Sequence, residues 1–325
     1  MRRAKILGTG RGLPERIVTN DELAEFLDTD DVWIQERTGI RQRRIAAEET
    51  LLELCETAAR QAMDRSGVGA GELDMIIAAT LTADDPLPNL SSSLQRVLGA
   101  DRAVCFDLSA ACSGFIFALT TAQMYIQSGL AEKVLVLGGE ILSKIMDWTD
   151  RSTCILFGDG AGAAVAGVDE DGRGILAADL GSDGKRGGVL SLKGRPVENP
   201  FRKKGGASGK CYVRMDGPEV FKFAVSQVPS SIRKLLKESG KSMEDVNCFV
   251  LHQANLRIIH SVAKRLKVPE EKFIVNMERY GNTSAASVPI ALDEAVCSGR
   301  IKAGDLIVLA GFGGGLTWGS ILVQM

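Results

Sequence analysis

Cys112 lies in "CFDLSAACSGFIFAL", where a strand-like apolar run passes through small residues into a helix-like run. A thiol at that junction faces the unpaired N–H groups and positive dipole end of the helix, which favours thiolate and nucleophilic attack. Free cysteine is also among the most buried residue types, so the local pattern leaves Cys112 open between nucleophile and core. Cys55, Cys105, Cys154, Cys248 and Cys297 sit within helix or strand patterns and read as inert core thiols. His252 ends the apolar run "CFVL" and begins "HQANLRIIH", at the carboxyl end of a strand, where open α/β sheets place ligands. Such a histidine serves either chemistry or core packing. His260, the only other histidine, falls in "NLRIIHSVAKRLK" and is expected to face solvent or helix packing. Asn282, in "RYGNTSAASVP", reads as a helix N-cap or as an amide facing a site. The glycines of "AGFGGGLTWGS", after the strand "DLIVL", let a backbone N–H approach a ligand closely, as an oxyanion donor must.

Groups on strand ends and helix starts need a layered scaffold, and the chain supplies its elements. "DMIIAAT", "KVLVLGG", "CFVLH" and "DLIVLAG" read as strands buried on both faces. They alternate with helices: "TNDELAEFL" opens with a Thr19/Glu22 capping box, while "LLELCETAARQAMDRSG" and "VPSSIRKLLKESG" run to glycine stops. The fold class is α/β. "RSGVGAGELDMIIAA" aligns with "ESGKSMEDVNCFVLH" at a displacement of 173 residues, and "CSGFIFALTTAQMYIQSG" aligns with "NTSAASVPIALDEAVCSG" at 170. The two matches predict a duplicated unit of about half the chain. The second alignment makes Asn282 the counterpart of Cys112, each at a strand-to-helix junction. "FGDGAGAAVAG", with Asp179 downstream, has glycines like a dinucleotide loop, but the segment after it breaks too soon to form the required helix.

Composition narrows the function classes. The 325 residues are 45% hydrophobic and 25% charged, ordinary for a globular enzyme. With 39 basic and 41 acidic residues the formal charge is -2, so no global field favours nucleic acid. Seven cysteines without a CxxC pair argue against a disulfide framework or a zinc site, and no acidic residue joins the histidines at metal spacing. No cofactor or metal is expected. No apolar run is long enough for a signal-peptide core or a membrane span, so a cytoplasmic protein without a membrane partner is expected. The polar, glycine-rich stretch 193–210 reads as a surface loop.

With "DLSAACSGF", "LHQANLRII", "YGNTSAASVP" and "GFGGGLTWGS" in that order, and "ILGTGRGLPERIVTNDEL" and "WIQERTGIRQRR" near the start, the chain resembles the beta-ketoacyl-acyl-carrier-protein synthase III family over nearly its whole length. The resemblance implies a thiolase-like fold of five αβαβα layers, with two pseudo-duplicated halves (1–172 and 173–325), each with a mixed sheet, in a homodimer. It implies a decarboxylating Claisen condensation that joins an acyl-CoA primer, expected to be acetyl-CoA, to malonyl-acyl carrier protein. The products are 3-oxoacyl-acyl carrier protein, CoA and carbon dioxide, in the initiation of fatty-acid synthesis. It places the catalytic residues at Cys112, His252 and Asn282 and the oxyanion-hole amides at Cys112 and Gly314.

The resemblance further assigns CoA contacts to Trp33, Arg37, Thr38, Arg151 and Asn255, with the adenine between Trp33 and Arg151. It assigns carrier-protein contacts to Gln253, Ala254, Asn255, Leu256, Arg257 and Lys222. On the helix after His252, Arg257 and Lys264 are seven apart and share a face, with Arg265 adjacent, which suits an acidic carrier. Three departures bear on substrate: Leu87 stands where many members have Phe in the primer pocket, Ser152 where many have Gly, and 193–210 is longer than usual. A degradative thiolase would need a second cysteine in "GFGGG", and an elongating synthase would need a histidine at Asn282. A specialised condensing enzyme of secondary metabolism, or a non-catalytic acyl-CoA sensor, remains as the alternative.

Overall fold

The computed structural model describes residues 2–169, 171–194, 199–201 and 211–325; most of the 193–210 stretch therefore lies outside the described residues. The main strands in chain order are β1 Arg3–Gly12, β2 Met75–Ala79, β3 Val104–Leu108, β4 Lys133–Glu140, β5 Gly160–Asp169, β6 Gly174–Ser182, β7 Cys248–Leu251, β8 Leu306–Gly313 and β9 Thr317–Gln324. The main helices are α1 Asp31–Thr38, α2 Leu51–Ser66, α3 Leu90–Leu98, α4 Gly114–Ser128, α5 Gly217–Ser239, α6 Leu256–Leu266 and α7 Ser287–Cys297. Thr19 and Glu22 form the expected capping box. Gly67 and Gly240 end α2 and α5 in the left-handed conformation, with φ 69° and 68°. "FGDGAGAAVAG" enters β5, a strand and not a nucleotide loop.

Two mixed sheets form. One has the order β1-β5-β4-β2-β3, the other β7-β8-β9-β6. In each, a parallel pair (β2 with β4, β7 with β8) continues through two antiparallel pairings. Helices α4 and α7 lie between the sheets: Phe115, Ile116, Leu119, Val288 and Leu292 join Ile77, Val136, Val250 and Leu309 of both sheets in one core. Helix α4 carries no charged residue, as an element enclosed by two sheets requires. Helices α2 and α3 cover the outer face of the first sheet, and α5 and α6 that of the second. The stack is five layers, αβαβα.

The duplication has a single displacement at the centre. The turns Ala111–Ser113 and Ser284–Ala286, the strands β2 and β7, and the strands β4 and β8 all start 173 residues apart. The 170-residue match holds only at the far ends of α4 and α7, because α7 is shorter. Cys112 therefore has Ala285, not Asn282, as its structural counterpart. Nor does Asn282 follow a strand: the segment equivalent to β3 is a short helix, Met277–Tyr280, after which Gly281 turns with φ 65°. Among the described residues, no helix is long and apolar enough to cross a membrane.

Candidate active site

Each half presses its last parallel strand against the helix start of the other. A Cβ on Gly138 of β4 would stand 2.2 Å from the Ala285 carbonyl oxygen, and one on Gly313 of β8 would stand 2.8 Å from the Cys112 nitrogen. Only glycine permits this approach. Ala111 and Ser284, equivalent across the dyad, both hold left-handed backbones, with φ 47° and 49°. Such strained residues persist where the surroundings over-determine them, commonly at functional sites.

Cys112 borders two cavities. One, of about 610 Å³, is also lined by Trp33, Arg37, His252, Asn282 and Phe312. The other, of about 400 Å³, is lined by Leu81, Leu142, Ile145, Leu192, Val213 and Gly314. Phe157 and Leu190 stand with Cys112 in both walls. The amides of Cys112 and Gly314 donate to no other residue's carbonyl among the described residues. The structure thus brings Cys112, His252 and Asn282 to one cavity and sets an apolar chamber on the other side of the sulfur.

The Cys112 thiol departs from the expectation for a helix start. Burial pushes its pKa up to about 11, and the Ser284 hydroxyl and the residue's own N–H only partly oppose this. Desolvation of a buried thiolate outweighs the dipole. His252 is 2% exposed, and burial pushes its pKa down to about 3, so its imidazole is neutral. Its Nδ1 lies 2.6 Å from Ser287 Oγ, and the Phe312 ring meets it edge-on at 5.1 Å. Asn282 Oδ1 accepts the Ser284 N–H at 2.9 Å. The amide thus caps the turn before α7, and its Nδ2 has no protein partner among the described residues.

Sequence reasoning missed Glu140, Ser284 and Ser287. Glu140, fully buried at the end of β4, receives the Thr82 hydroxyl at 2.5 Å and the Leu81 N–H at 3.2 Å; the Ser284 hydroxyl lies 3.4 Å away. Burial raises its carboxyl pKa to about 7, against those hydrogen bonds. The acid closing the apolar run "KVLVLGGE" was the one available signal. Among the other cysteines, burial raises the pKa of Cys55, Cys105, Cys154 and Cys248. Cys297 is exposed at the end of α7, not in the core. His260 is exposed, 3.5 Å from Glu270.

Of the residues assigned to CoA, Trp33, Arg37, Thr38 and Asn255 line the outer cavity, and Arg151 stands over Trp33. Arg37 Cζ lies 4.3 Å and Arg151 Cζ 5.2 Å from the Trp33 ring centroid. A base stacked between Trp33 and Arg151 would need about 3.5 Å of contact on each side, so Arg151, bound to Asp28, occupies that place. Asn255 caps α6 through the Arg257 N–H and donates to the Arg37 carbonyl, while the Thr38 hydroxyl bonds the Ile34 carbonyl. Ser152 is at the same cavity.

Of the assigned carrier contacts, Lys222 and Arg257 are exposed at the mouth of the outer cavity, Ala254 lines it, and Leu256 packs beside Gly39. Lys264 and Arg265 are exposed at the far end of α6. Gln253 is not a surface group: it is 1% exposed, with its amide bonded to the Leu251 and Ile274 carbonyls and the Asn276 N–H. Leu87 lines neither cavity and is 86% exposed. Leu81, whose N–H bonds Glu140 at 3.2 Å, lines the inner cavity instead.

Comparison with known proteins places the chain in a family. Residues 106–184 match the 3-Oxoacyl-[acyl-carrier-protein (ACP)] synthase III domain, and 236–325 its C-terminal domain. The chain is 48% identical over 326 residues to a beta-ketoacyl-[acyl-carrier-protein] synthase III of Clostridium acetobutylicum, covering 100% of this chain and 99% of the relative. The crystal structure of the Aquifex aeolicus 3-oxoacyl-[acyl-carrier-protein] synthase III superposes with TM-score 0.92 at 45% identity, covering 99% of this chain and 100% of that one. The priming beta-ketosynthase of the R1128 polyketide pathway also superposes at TM-score 0.92, at 40% identity, covering 100% of this chain and 97% of that one. The chain belongs to the beta-ketoacyl-[acyl-carrier-protein] synthase III family of condensing acyltransferases.

Proposed function

We propose that the enzyme transfers an acyl primer from CoA to Cys112 and condenses it with malonyl-acyl carrier protein, releasing carbon dioxide and forming 3-oxoacyl-acyl carrier protein. The observation that carries this reading is the sulfur of Cys112 between two cavities, one holding His252 and Asn282, the other apolar. In the first half-reaction Cys112 attacks the primer thioester, and the amides of Cys112 and Gly314 hold the oxyanion while CoA leaves. The acyl chain lies in the inner chamber, shielded from water that would hydrolyse it. In the second half-reaction the malonyl thioester occupies the outer cavity. Loss of carbon dioxide leaves an enolate, which Asn282 stabilises through Nδ2, and His252 when its proton is on Nε2. The enolate carbon attacks acyl-Cys112 and releases the thiol.

Acetyl-CoA is the expected primer, and a chamber of about 400 Å³ has room for longer or branched chains. Trp33, Arg37, Thr38, Arg151 and Asn255 hold CoA, with Arg151 leaving Trp33 to admit the adenine. Lys222 and Arg257 meet the acidic carrier, with Lys264 and Arg265 extending that surface. Both carbon fragments come from thioesters, so the reaction as written uses no metal or redox cofactor. A homodimer through the edge strand β3 is part of the proposal: Val104 at its start is 59% exposed, and α4, whose Tyr125 ring lies 6.3 Å from Phe106 of β3, exposes Met124 at 51%. We place the enzyme in the cytoplasm, without nucleic-acid or membrane partners.

The test is incubation with radiolabelled acetyl-CoA and with longer and branched acyl-CoAs, followed by malonyl-acyl carrier protein. Labelling should require Cys112, and carbon dioxide release should follow; a protein that takes no label from any primer would overturn the nucleophile. Asn282→Ala should cut condensation about 10²–10³-fold while leaving acylation largely intact. The similarity to a polyketide priming ketosynthase supports a second reading, priming in secondary metabolism. A strong preference for a longer primer over acetyl-CoA would favour it.

A further inference from the structure

We infer that Ser287 is a positioning residue that holds His252 in the tautomer with Nε2 bare, making that nitrogen the acceptor of the Cys112 proton during acyl transfer. The inference rests on the reading of Cys112 as nucleophile. Ser287 Oγ lies 2.6 Å from His252 Nδ1 and 2.8 Å from the Ser284 carbonyl oxygen. A hydroxyl has one proton, and a carbonyl oxygen only accepts. If that proton pointed at Nδ1, two oxygens would face each other at 2.8 Å with no hydrogen between them. Both contacts are hydrogen bonds only when Nδ1–H donates to Oγ and Oγ–H donates to the carbonyl. Nε2 then carries a lone pair, and it has no protein partner among the described residues.

Both residues are 2% exposed, and the Phe312 ring packed T-shaped against the imidazole limits its rotation, so water does not compete for Nδ1. The dyad shows the pair to be a local addition. The positions equivalent to His252 and Ser287 in the first half are Ala79 and Gly114, and a Cβ on Gly114 would lie 2.9 Å from the Ala79 Cβ. The same two positions therefore touch in both halves, and only the second half places an imidazole and a hydroxyl there.

The step balances. As the Cys112 sulfur bonds to the primer carbonyl carbon, its proton passes to Nε2; as the carbon–sulfur bond to CoA breaks, the CoA thiolate takes that proton and His252 returns to neutral. When CoA instead leaves as the thiolate, the Cys112 proton stays on Nε2, which donates it in a hydrogen bond to the malonyl enolate; it returns to the Cys112 sulfur when the enolate carbon displaces that sulfur, and Nδ1–H stays on Ser287 Oγ throughout.

The protein has two histidines, which makes a direct test practical. Histidine-selective ¹⁵N labelling, with His260→Gln for assignment, should show Nδ1 protonated and Nε2 bare in resting His252 at neutral pH. Ser287→Ala should shift the population toward Nε2–H and slow Cys112 acylation at least tenfold at saturating acyl-CoA, with KM little changed. Ser287→Thr should restore both. Nε2–H in the resting enzyme, or a tautomer unaltered in folded Ser287→Ala, overturns the inference, as does failure of folded Ser287→Thr to restore either. If wild-type Cys112 takes no acyl group, the functional reading fails while the tautomer result still stands.

Discussion

A helix start offers a thiolate about 0.3–1 kcal/mol through its dipole, whereas full burial shifts a thiol or carboxyl by as much as 3–5 pH units. Cys112 has both, with a pKa raised to about 11, so the resting residue is a thiol. Its alkylation by iodoacetamide, followed on the Cys112 peptide, should rise roughly tenfold per pH unit through pH 9; a plateau by pH 8 would show a stabilised thiolate instead. Attack then requires a proton acceptor, and neutral His252 is at the same cavity. Glu140 makes a separate prediction. Its folded pKa of about 7 lies above the usual carboxylate value of 4.5, so it binds a proton between those limits that the unfolded chain has lost. Its contribution to stability is complete below pH 4.5 and lost as pH rises through 7. The stability of wild type relative to Glu140→Gln should fall by about 1.4 kcal/mol per pH unit across that window. Urea unfolding at pH 5 and pH 8 reads this, and an equal difference at both pH values would refute it. His252 acts in the opposite sense: its folded pKa is depressed, so its contribution is present above pH 6.5 and lost on acidification.

At the scale of elements, α6 combines a charged outer face with support for the core. Its inner face packs Ile258, Ile259, Val262 and Leu266 into the core, its outer face presents Arg257 and Lys264, and Asn255 ties its start to the end of α1. Arg257 lines the outer cavity with Lys222, so under the docking proposed above charge reversal there would act on carrier arrival, not on the sulfur. Arg257→Glu should raise the KM for malonyl-acyl carrier protein several-fold, more at low salt, and leave Cys112 acylation by free acyl-CoA unchanged. An unaltered KM would remove Arg257 from the docking surface. Gln253 shows the limit of reading a surface from adjacent positions: it lies within four residues of Arg257, yet its side chain ties the end of β7 to the segment before Met277.

The site exists at the scale of the whole molecule, because its groups come from both halves. Gly138 meets Ala285 and Gly313 meets Cys112, so the two helix starts are fixed by strands of the opposite sheet. Gly138→Ala would set a Cβ 2.2 Å from a carbonyl oxygen and should destabilise the fold by about 1–3 kcal/mol or more, with loss of activity. Gly71→Ala, where nothing lies within 4 Å, should have little effect. Equal unfolding midpoints for the two variants would contradict the inter-half contact.

The linear chain by itself determined the α/β class, the alternating elements, the capping box at Thr19 and the glycine stops at 67 and 240, and it singled out Cys112, His252 and Asn282 as candidates, which the structure brings to one cavity. Each of these follows from local periodicity, turn chemistry or ordered motifs, which a sequence carries directly. It even held the duplication, but an alignment anchored at the end of α7 mispaired Cys112 with Asn282, since a difference in helix length is invisible without the strands that the helix joins. Tertiary structure decided the rest. Burial of the sulfur, the outward turn of Leu87, the inward turn of Gln253, Arg151 against Trp33, and the Ser284–Ser287–His252 chain depend on contacts between segments up to hundreds of residues apart. Solvation and hydrogen-bond direction set the chemistry of a thiol and an imidazole, and both arise only when the two sheets close over the central helices.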